Sequence, residues 1–225
     1  MNIRREVIPF LILSFAAGAV AAGVCLLLGV SAAASILWPA AAAAAAAAYL
    51  LYFFRDPERT LPADSESIVA GADGVVAHVM EVRENEYLKE DAVRVSIFLS
   101  LFDVHVNRAP ISGQSRFLGY FPGKRFFTFM EKSSKYNQHN SILITGERTR
   151  CLVRQIVGPV CRRVVYWLNK DESENVRAGQ KIGMMKFGSR LDMYFPKGDV
   201  KVTVAGGQKV TAGETVIAEL GKAAS

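Results

Sequence analysis

The sequence predicts a mainly β protein: a β-rich barrel or sandwich over residues 55–225, preceded by an N-terminal α-helical membrane hairpin over residues 1–54. Two observations carry that expectation. From Val7 to Phe54 there is no Asp, Glu, Lys or Arg, which is the composition of a segment dissolved in hydrocarbon. From Arg55 onward, short β-branched or alternating runs follow one another between Gly, Pro, Asn and Asp, the spacing of small β architectures.

A single helix over residues 7–54 would be roughly 70 Å long, more than twice a hydrocarbon core of about 30 Å. Two spans are therefore expected, about Ile8–Val30 and Ile36–Phe54. The break falls near Gly29 to Ser35, with Pro39 in the first turn of the second helix, where a missing N–H is tolerated. Arg4 and Arg5 precede the first span, and Arg55 and Arg59 follow the second. The positive-inside rule then places both ends, and the soluble part with them, at the cytoplasmic face of the cell membrane. The alanine run Ala40 to Ala48 makes the second span weakly membrane-seeking, which leaves shallow or interfacial seating open. A cleaved signal peptide would share the arginine pair and the apolar core, but it has no use for the second apolar run.

The formal charge is +6, of which Arg4, Arg5 and Glu6 account for +1 and residues 55–225 for +5. That excess suits an anionic membrane surface. No recognition-helix, zinc-finger or aromatic RNA-binding signature accompanies it, so nucleic acid is not expected as a partner. The three cysteines, Cys25, Cys151 and Cys161, form neither a disulfide framework nor a metal-ligand spacing. They are expected to be small buried hydrophobes in a reducing compartment.

Residues Arg55-Asp56-Pro57-Glu58-Arg59-Thr60-Leu61-Pro62 make a prolyl linker leaving the membrane. Strands are then predicted over Ser67–Ala70, Gly74–Val79, Ala92–Leu99, Ser141–Ile144, Cys151–Val157 and Lys201–Val204. Two C-terminal stretches read alike: Asn175 to Gly183 and Val200 to Ala218 each carry a valine, a turn containing Gly-Gln and an apolar entry into a strand. They resemble the hairpins of lipoyl- and biotinyl-like barrels, a likeness of fold that does not give function. A carrier of that kind would present a modifiable lysine at a hairpin tip, and neither Lys181 nor Lys209 stands in such a motif.

Four motifs carry the chemistry: Phe53-Phe54-Arg55-Asp56-Pro57-Glu58-Arg59, Ala72-Asp73-Gly74-Val75-Val76, Phe102-Asp103-Val104-His105-Val106-Asn107-Arg108-Ala109-Pro110, and Phe187-Gly188-Ser189-Arg190. In this order, over residues 53–190, they closely resemble the phosphatidylserine decarboxylases of the short form. The resemblance implies a proenzyme that cuts itself between Gly188 and Ser189 into a large β chain, 1–188, and a small α chain, 189–225. A glycine carbonyl is open to attack because no Cβ shields it. Ser189 Oγ would add to it, an N-to-O acyl shift would give an ester, and β-elimination followed by hydrolysis would leave a pyruvoyl group derived from Ser189. That covalent cofactor would form a Schiff base with the amine of phosphatidylserine and act as electron sink while carbon dioxide leaves. The product would be phosphatidylethanolamine, and no metal is required. The two chains would remain a heterodimer, with a higher oligomer left open. Pyruvoyl chemistry on a soluble amino acid is the other substrate class, and it has no need of a hairpin.

Serine is activated by a base, commonly a histidine oriented by a carboxylate. By the resemblance, Asp73 matches the orienting acid and His105 the first histidine of the central motif, a proton donor or positioning group in decarboxylation. Longer members carry a second histidine three positions on, assigned to self-cleavage, where this chain has Arg108. His105 therefore serves both steps, or His139, in Lys135-Tyr136-Asn137-Gln138-His139-Asn140-Ser141, approaches Ser189 from elsewhere. Arg108 stays charged and is no base, but its fork suits a phosphate or carboxylate. His78 has no motif support and is read as structural.

Overall fold

Backbone N–H and C=O groups cannot stay unpaired in hydrocarbon, so an uncharged run of this length folds as helix. The computed structural model describes residues 2–62, 66–159, 164–186 and 188–221; Cys161 and Phe187 lie outside these. The chain divides into two units, Met1–Glu58 and Arg59–Ser225. In the first, β1 (Asn2–Ile3), α1 (Ile8–Leu27), α2 (Ala32–Phe53) and β2 (Arg55–Asp56) follow in order. The helices have 20 and 22 residues, so each is about 30 Å long and sufficient to cross a bilayer. The pair is antiparallel: β1 pairs with β2, Asn2 opposite Asp56 and Ile3 opposite Arg55, and Arg4 N–H donates to the Phe54 carbonyl at 2.9 Å. Small residues let the helices approach, since a Cβ built on Gly18 would lie 3.0 Å from that of Ala43.

Pro39 sits differently from expectation. The second helix begins at Ala32 rather than Ile36, so Pro39 lies inside it and not in its first turn. Ala32, Ala33 and Ala34 are strong helix formers, and they extend the helix upstream of the proline.

In the second unit the strands are β3 (Ser67–Val69), β4 (Gly74–Glu84), β5 (Glu90–Leu99), β6 (Val106–Arg108) and β7 (Gly113–Phe121); after the short helix α3 (Ser133–Tyr136) come β8 (His139–Thr145), β9 (Arg150–Val157), β10 (Val164–Tyr166), β11 (Glu174–Val176), β12 (Lys181–Met185), β13 (Ser189–Pro196), β14 (Val200–Val202), β15 (Lys209–Val210) and β16 (Val216–Leu220). The mainly β expectation holds, and each of the six predicted strands has its counterpart. Not anticipated was that Ser189 opens a strand rather than completing a turn.

An antiparallel sheet in the order β11-β7-β8-β9-β13-β5-β4-β15 is joined by two smaller sheets, β10-β12-β6 and β14-β16-β3. Val95, Ile97 and Leu99 of β5, Ile142 and Ile144 of β8, and Leu191, Met193 and Phe195 of β13 form one buried cluster with Ile68, Tyr166, Ile182 and Ile217 of the smaller sheets. The core thus lies between one face of the large sheet and the two small ones, a sandwich arrangement. Cys151 belongs to this core, and burial pushes its thiol well above the usual range.

The strand β13 is central, paired with β5 on one side and β9 on the other, and all eight of its residues are buried. Side chains alternate across a strand, so Ser189 shares the core face with Leu191, Met193 and Phe195. On the opposite face are Arg190, Asp192 and Tyr194. Arg190 and Asp192 are fully buried and form a two-pronged pair at 2.9 and 3.2 Å. Arg190 Nη1 also donates to the carbonyls of Thr128 and Met130, each at 3.2 Å, and Ser134 Oγ donates to Asp192. Burial, with the Asp192 carboxylate adding to it, pushes the Tyr194 phenol up to about 12.

Removing one partner of such a pair leaves the other charge buried and uncompensated. Arg190→Met should therefore destabilise the fold by about 3–5 kcal/mol, read as a lower midpoint of denaturant unfolding. A loss below about 1 kcal/mol, the size of an exposed pair, would contradict the buried pairing.

Candidate active site

Cross-strand register assembles the motif residues. Ser189, the first residue of β13, stands opposite Leu99 at the end of β5 and opposite Val157 at the end of β9. Val75, near the start of β4, pairs with Phe98 on the other edge of β5. Asp73 and Ser189 therefore lie at the same end of the sheet, two strand spacings or about 10 Å apart in backbone. Glycine follows Asp73 for a steric reason: a Cβ at Gly74, where φ is +148°, would sit 2.1 Å from the Phe98 carbonyl oxygen.

Gly188 precedes the strand with φ +69°, in the left-handed region that glycine enters at no steric cost. Its carbonyl oxygen runs close to Gly158, where a Cβ would come within 3.0 Å of it. Ser189 Oγ is buried and has no hydrogen-bond partner among the described residues. A buried hydroxyl without a partner forgoes stabilisation, a property Ser189 shares with Ser96 and Ser141.

His105 is fully buried, and it immediately precedes β6. Its carbonyl accepts the N–H of Met185, four residues before Ser189, at 3.1 Å, and Met184 pairs with Val106. The loop carrying His105 is thereby hydrogen-bonded to the strand that leads into the Gly188-Ser189 link. His105 Nδ1 lies 2.9 Å from the backbone carbonyl of Asp103. A carbonyl only accepts, so Nδ1 carries the proton in this contact, and in the neutral ring Nε2 holds the lone pair.

Asp73 has other partners than the sequence suggested. Its Oδ2 receives Arg59 Nη2 at 2.7 Å and its Oδ1 the Ala212 N–H at 2.8 Å. Among the described residues its hydrogen-bond donors are these two and not a histidine. Burial raises the Asp73 carboxyl above the ordinary carboxylate range; the Ala212 N–H and the Arg59 charge pull it back, and the Asp103 carboxylate adds a smaller upward push.

His139 is on the wrong face to reach Ser189. It pairs with Ile156, which pairs in turn with Arg190, so all three project from the face opposite the core. There its ring stacks on Phe121 at 5.1 Å and its Nδ1 meets the Asn137 carbonyl at 2.8 Å, while burial lowers its pKa. Arg108 is turned away as well. An offset of three along an extended chain changes face, and Arg108 donates to the Gly179 carbonyl at 2.8 Å while Asn107 receives Gln155 Nε2 at 2.8 Å.

A family described as phosphatidylserine decarboxylase matches residues 46–218. The chain belongs to the phosphatidylserine decarboxylase family. A phosphatidylserine decarboxylase proenzyme of Carboxydothermus hydrogenoformans is 46% identical over 169 residues, 75% of this chain and 78% of that protein. Another, of Desulfotalea psychrophila, is 35% identical over 170 residues, again 75% of this chain and 78% of the relative.

Within this phosphatidylserine decarboxylase family member, two features escaped sequence reasoning. Arg59 was visible as a flanking charge after the second span and the last letter of the exit motif, and its pairing with Asp73 is tertiary. A buried amide series, Asn140 to Gln155 at 3.2 Å and Gln155 to Asn107, lines the core face beside Leu191. Asn107 lay in a quoted motif without a role.

Two outcomes follow from these placements. His139→Gln should leave the rate of self-cleavage within about twofold of the parent, followed by gel or mass; a chain left whole would bring His139 back to Ser189. Arg59→Met removes a charge that lowers the Asp73 pKa, so the folded-state value rises further above the unfolded one. An ionised carboxylate then costs more in the folded state. The variant's stability deficit should be small below the ordinary carboxylate pKa of about 4 and grow as pH rises through the folded value. Thermal midpoints at acid and neutral pH check this, and a deficit independent of pH would refute it.

Proposed function

We propose that the chain is a self-processing phosphatidylserine decarboxylase in which Ser189 attacks the Gly188 carbonyl, dividing the protein into residues 1–188 and 189–225. The observation that carries this reading is the buried, unpartnered Ser189 Oγ directly after a left-handed glycine, at the head of a strand clamped on both sides. Family membership makes the chain a carboxy-lyase.

The residues fit a pyruvoyl group at position 189. Its atoms come from Ser189 itself, whose buried Oγ has no partner among the described residues, and Asn107 Nδ2, in the amide series beside Leu191, is a second such atom. Once formed, the pyruvoyl group supplies a carbonyl for the substrate amine and a sink for the electrons released as carbon dioxide departs.

Maturation is assigned to His105. With Nδ1–H given to the Asp103 carbonyl, Nε2 is the atom able to take the Ser189 proton. The backbone carbonyl of Asp103 performs the orienting task that a carboxylate performs in other triads. Asp73, tied to Arg59, sets the charge at this end of the sheet. Arg108 fixes the turn at Gly179, and His139 takes no part. After cleavage, the ladder to β5 and β9 and the Arg190–Asp192 pair keep the new end of β13 in place. The two apolar helices seat the enzyme in the cell membrane with its soluble unit at the cytoplasmic face, where phosphatidylserine is the substrate and phosphatidylethanolamine the product.

Intact mass tests the scheme. The wild-type protein should give two chains, with residue 189 mass-shifted and blocked to Edman sequencing, while Ser189→Ala stays whole. His105→Ala should slow self-cleavage by about 10²–10⁴-fold. A His105→Ala protein that is fully cut yet inactive would confine His105 to decarboxylation, and an uncut wild type under native conditions would remove the pyruvoyl reading.

A further inference from the structure

The segment between β7 and β8 inverts the usual burial pattern. Thr128 is 3% exposed, whereas its neighbours Phe127 and Phe129 are 55% and 58% exposed and stack on each other at 5.4 Å. A soluble fold buries phenylalanine and shows threonine to water. Here the small polar side chain faces in and two large aromatic ones face out, and Tyr136 of the same segment is also exposed, at 47%. The inversion is held in place: Asn137 bonds both the N–H and the carbonyl of Phe126, at 2.9 and 2.7 Å, and Arg190 holds the carbonyls of Thr128 and Met130.

The segment is also basic. Between residues 122 and 138 it carries Lys124, Arg125, Lys132 and Lys135, all exposed, against the single carboxylate of Glu131. Glu131 is already paired with Arg94, so the exposed charge is positive. Lys132 Nζ lies 4.2 Å from the centre of the Phe126 ring, and Lys135 lies 5.4 Å from that of Tyr136. Aromatic rings interleaved with lysine and arginine are the composition of a surface that seats at the headgroup level of an anionic bilayer.

Its position ties it to the chemistry. A Cβ on Gly158 would lie 3.0 Å from the Gly188 carbonyl oxygen and 3.3 Å from the methyl group of Thr128. The inward residue of the aromatic segment and the scissile carbonyl thus flank one glycine. The loop that follows Leu99, the cross-strand neighbour of Ser189, ends at His105 and carries Phe102 at 68% exposure.

We infer that Phe127, Phe129 and the lysines and arginine around them form a bilayer-docking lip beside the active site, which presses into an anionic lipid surface and draws phosphatidylserine from it. This rests on the decarboxylase reading given above. The lip supplies something the apolar helices alone do not, since it bears on the end of the sheet where residue 189 sits. A lipid whose headgroup must leave the surface to reach a buried residue needs its entry point held against that surface.

The test compares the full-length protein with a Phe127→Ser, Phe129→Ser double variant in mixed micelles of detergent and long-chain phosphatidylserine, and on short-chain phosphatidylserine dissolved as monomers. Complete self-cleavage of the variant serves as the check on folding. The KM expressed as surface concentration should rise about tenfold, with kcat retained, while the KM for the monomeric substrate stays within about twofold. Added salt should raise the wild-type surface KM by screening the basic residues. An equal rise in KM on both substrates would overturn the lip and make the aromatics part of the headgroup pocket; an unchanged surface KM would overturn it outright. A wild-type protein without activity on either substrate would remove the decarboxylase reading instead, so the two failures are distinct.

Discussion

The pairing of β13 between β5 and β9 is the constraint on which the rest of the molecule depends. From Ser189 to Tyr194 every residue has a cross-strand partner on both sides, so the backbone of this stretch has no freedom left. The constraint stops abruptly at Gly188, whose positive φ turns the chain out of the ladder. A rigid strand therefore begins at the very bond proposed to break. The attack proposed at that junction would ask nothing of the rest of the fold. A chain cut at this point would keep its structure, because the hydrogen bonds that hold residues 190–196 lie wholly on the far side.

The two faces of β13 do different work, and the period of two keeps them apart. The core face offers an apolar wall of Leu191, Met193 and Phe195 that ends in Ser189, with the amides of Gln155 and Asn107 alongside. The opposite face takes Arg190 and Asp192, which cost desolvation and are tolerated because each finds the other, the carbonyls of Thr128 and Met130, and Ser134. Arg190 thus links the strand start beside Ser189, the proposed cleavage point, with the aromatic segment between β7 and β8. One side chain ties chemistry on one face to a surface feature on the other.

How much of this was legible depended on what each residue does. Strands such as Ala92–Leu99 and Cys151–Val157 are read easily, since their β-branched residues alternate toward one core. By contrast β13 hid itself: Ser189-Arg190-Leu191-Asp192 carries charges at alternate positions and reads as a half-exposed turn or edge, and only a tertiary partner such as Ser134 or the Thr128 carbonyl admits those charges to the interior. Pro39 misled in the other direction, because a tolerated first-turn proline and a proline inside an alanine-rich helix look alike in sequence. Gly188, Ser189, Asp73 and His105 stood out by chemical type and motif. What they touch did not, because the face and the register of a strand are set by neighbours distant in the chain.

The position three beyond His105 bears on the base proposed for maturation. In extended chain, residues 105 and 107 face one way and residue 108 the other. Arg108 accordingly reaches Gly179, packs its Cδ within 3.0 Å of where a Gly213 side chain would begin, and lies on the Asp73 and Arg59 side of the structure. A base at 108 would have to act from that side, next to the Asp73 carboxylate. With arginine there instead, a second fixed cation joins Arg59 around the 212–213 turn, and in the proposed scheme the proton-accepting task falls to His105. Its ring is oriented by the Asp103 carbonyl, an acceptor that needs no charge and is unaffected by the raised pKa of Asp73. The exchange of a histidine for an arginine thus fits a site in which the proposed base is positioned by backbone and the partly buried Asp73 carboxylate is balanced by Arg59.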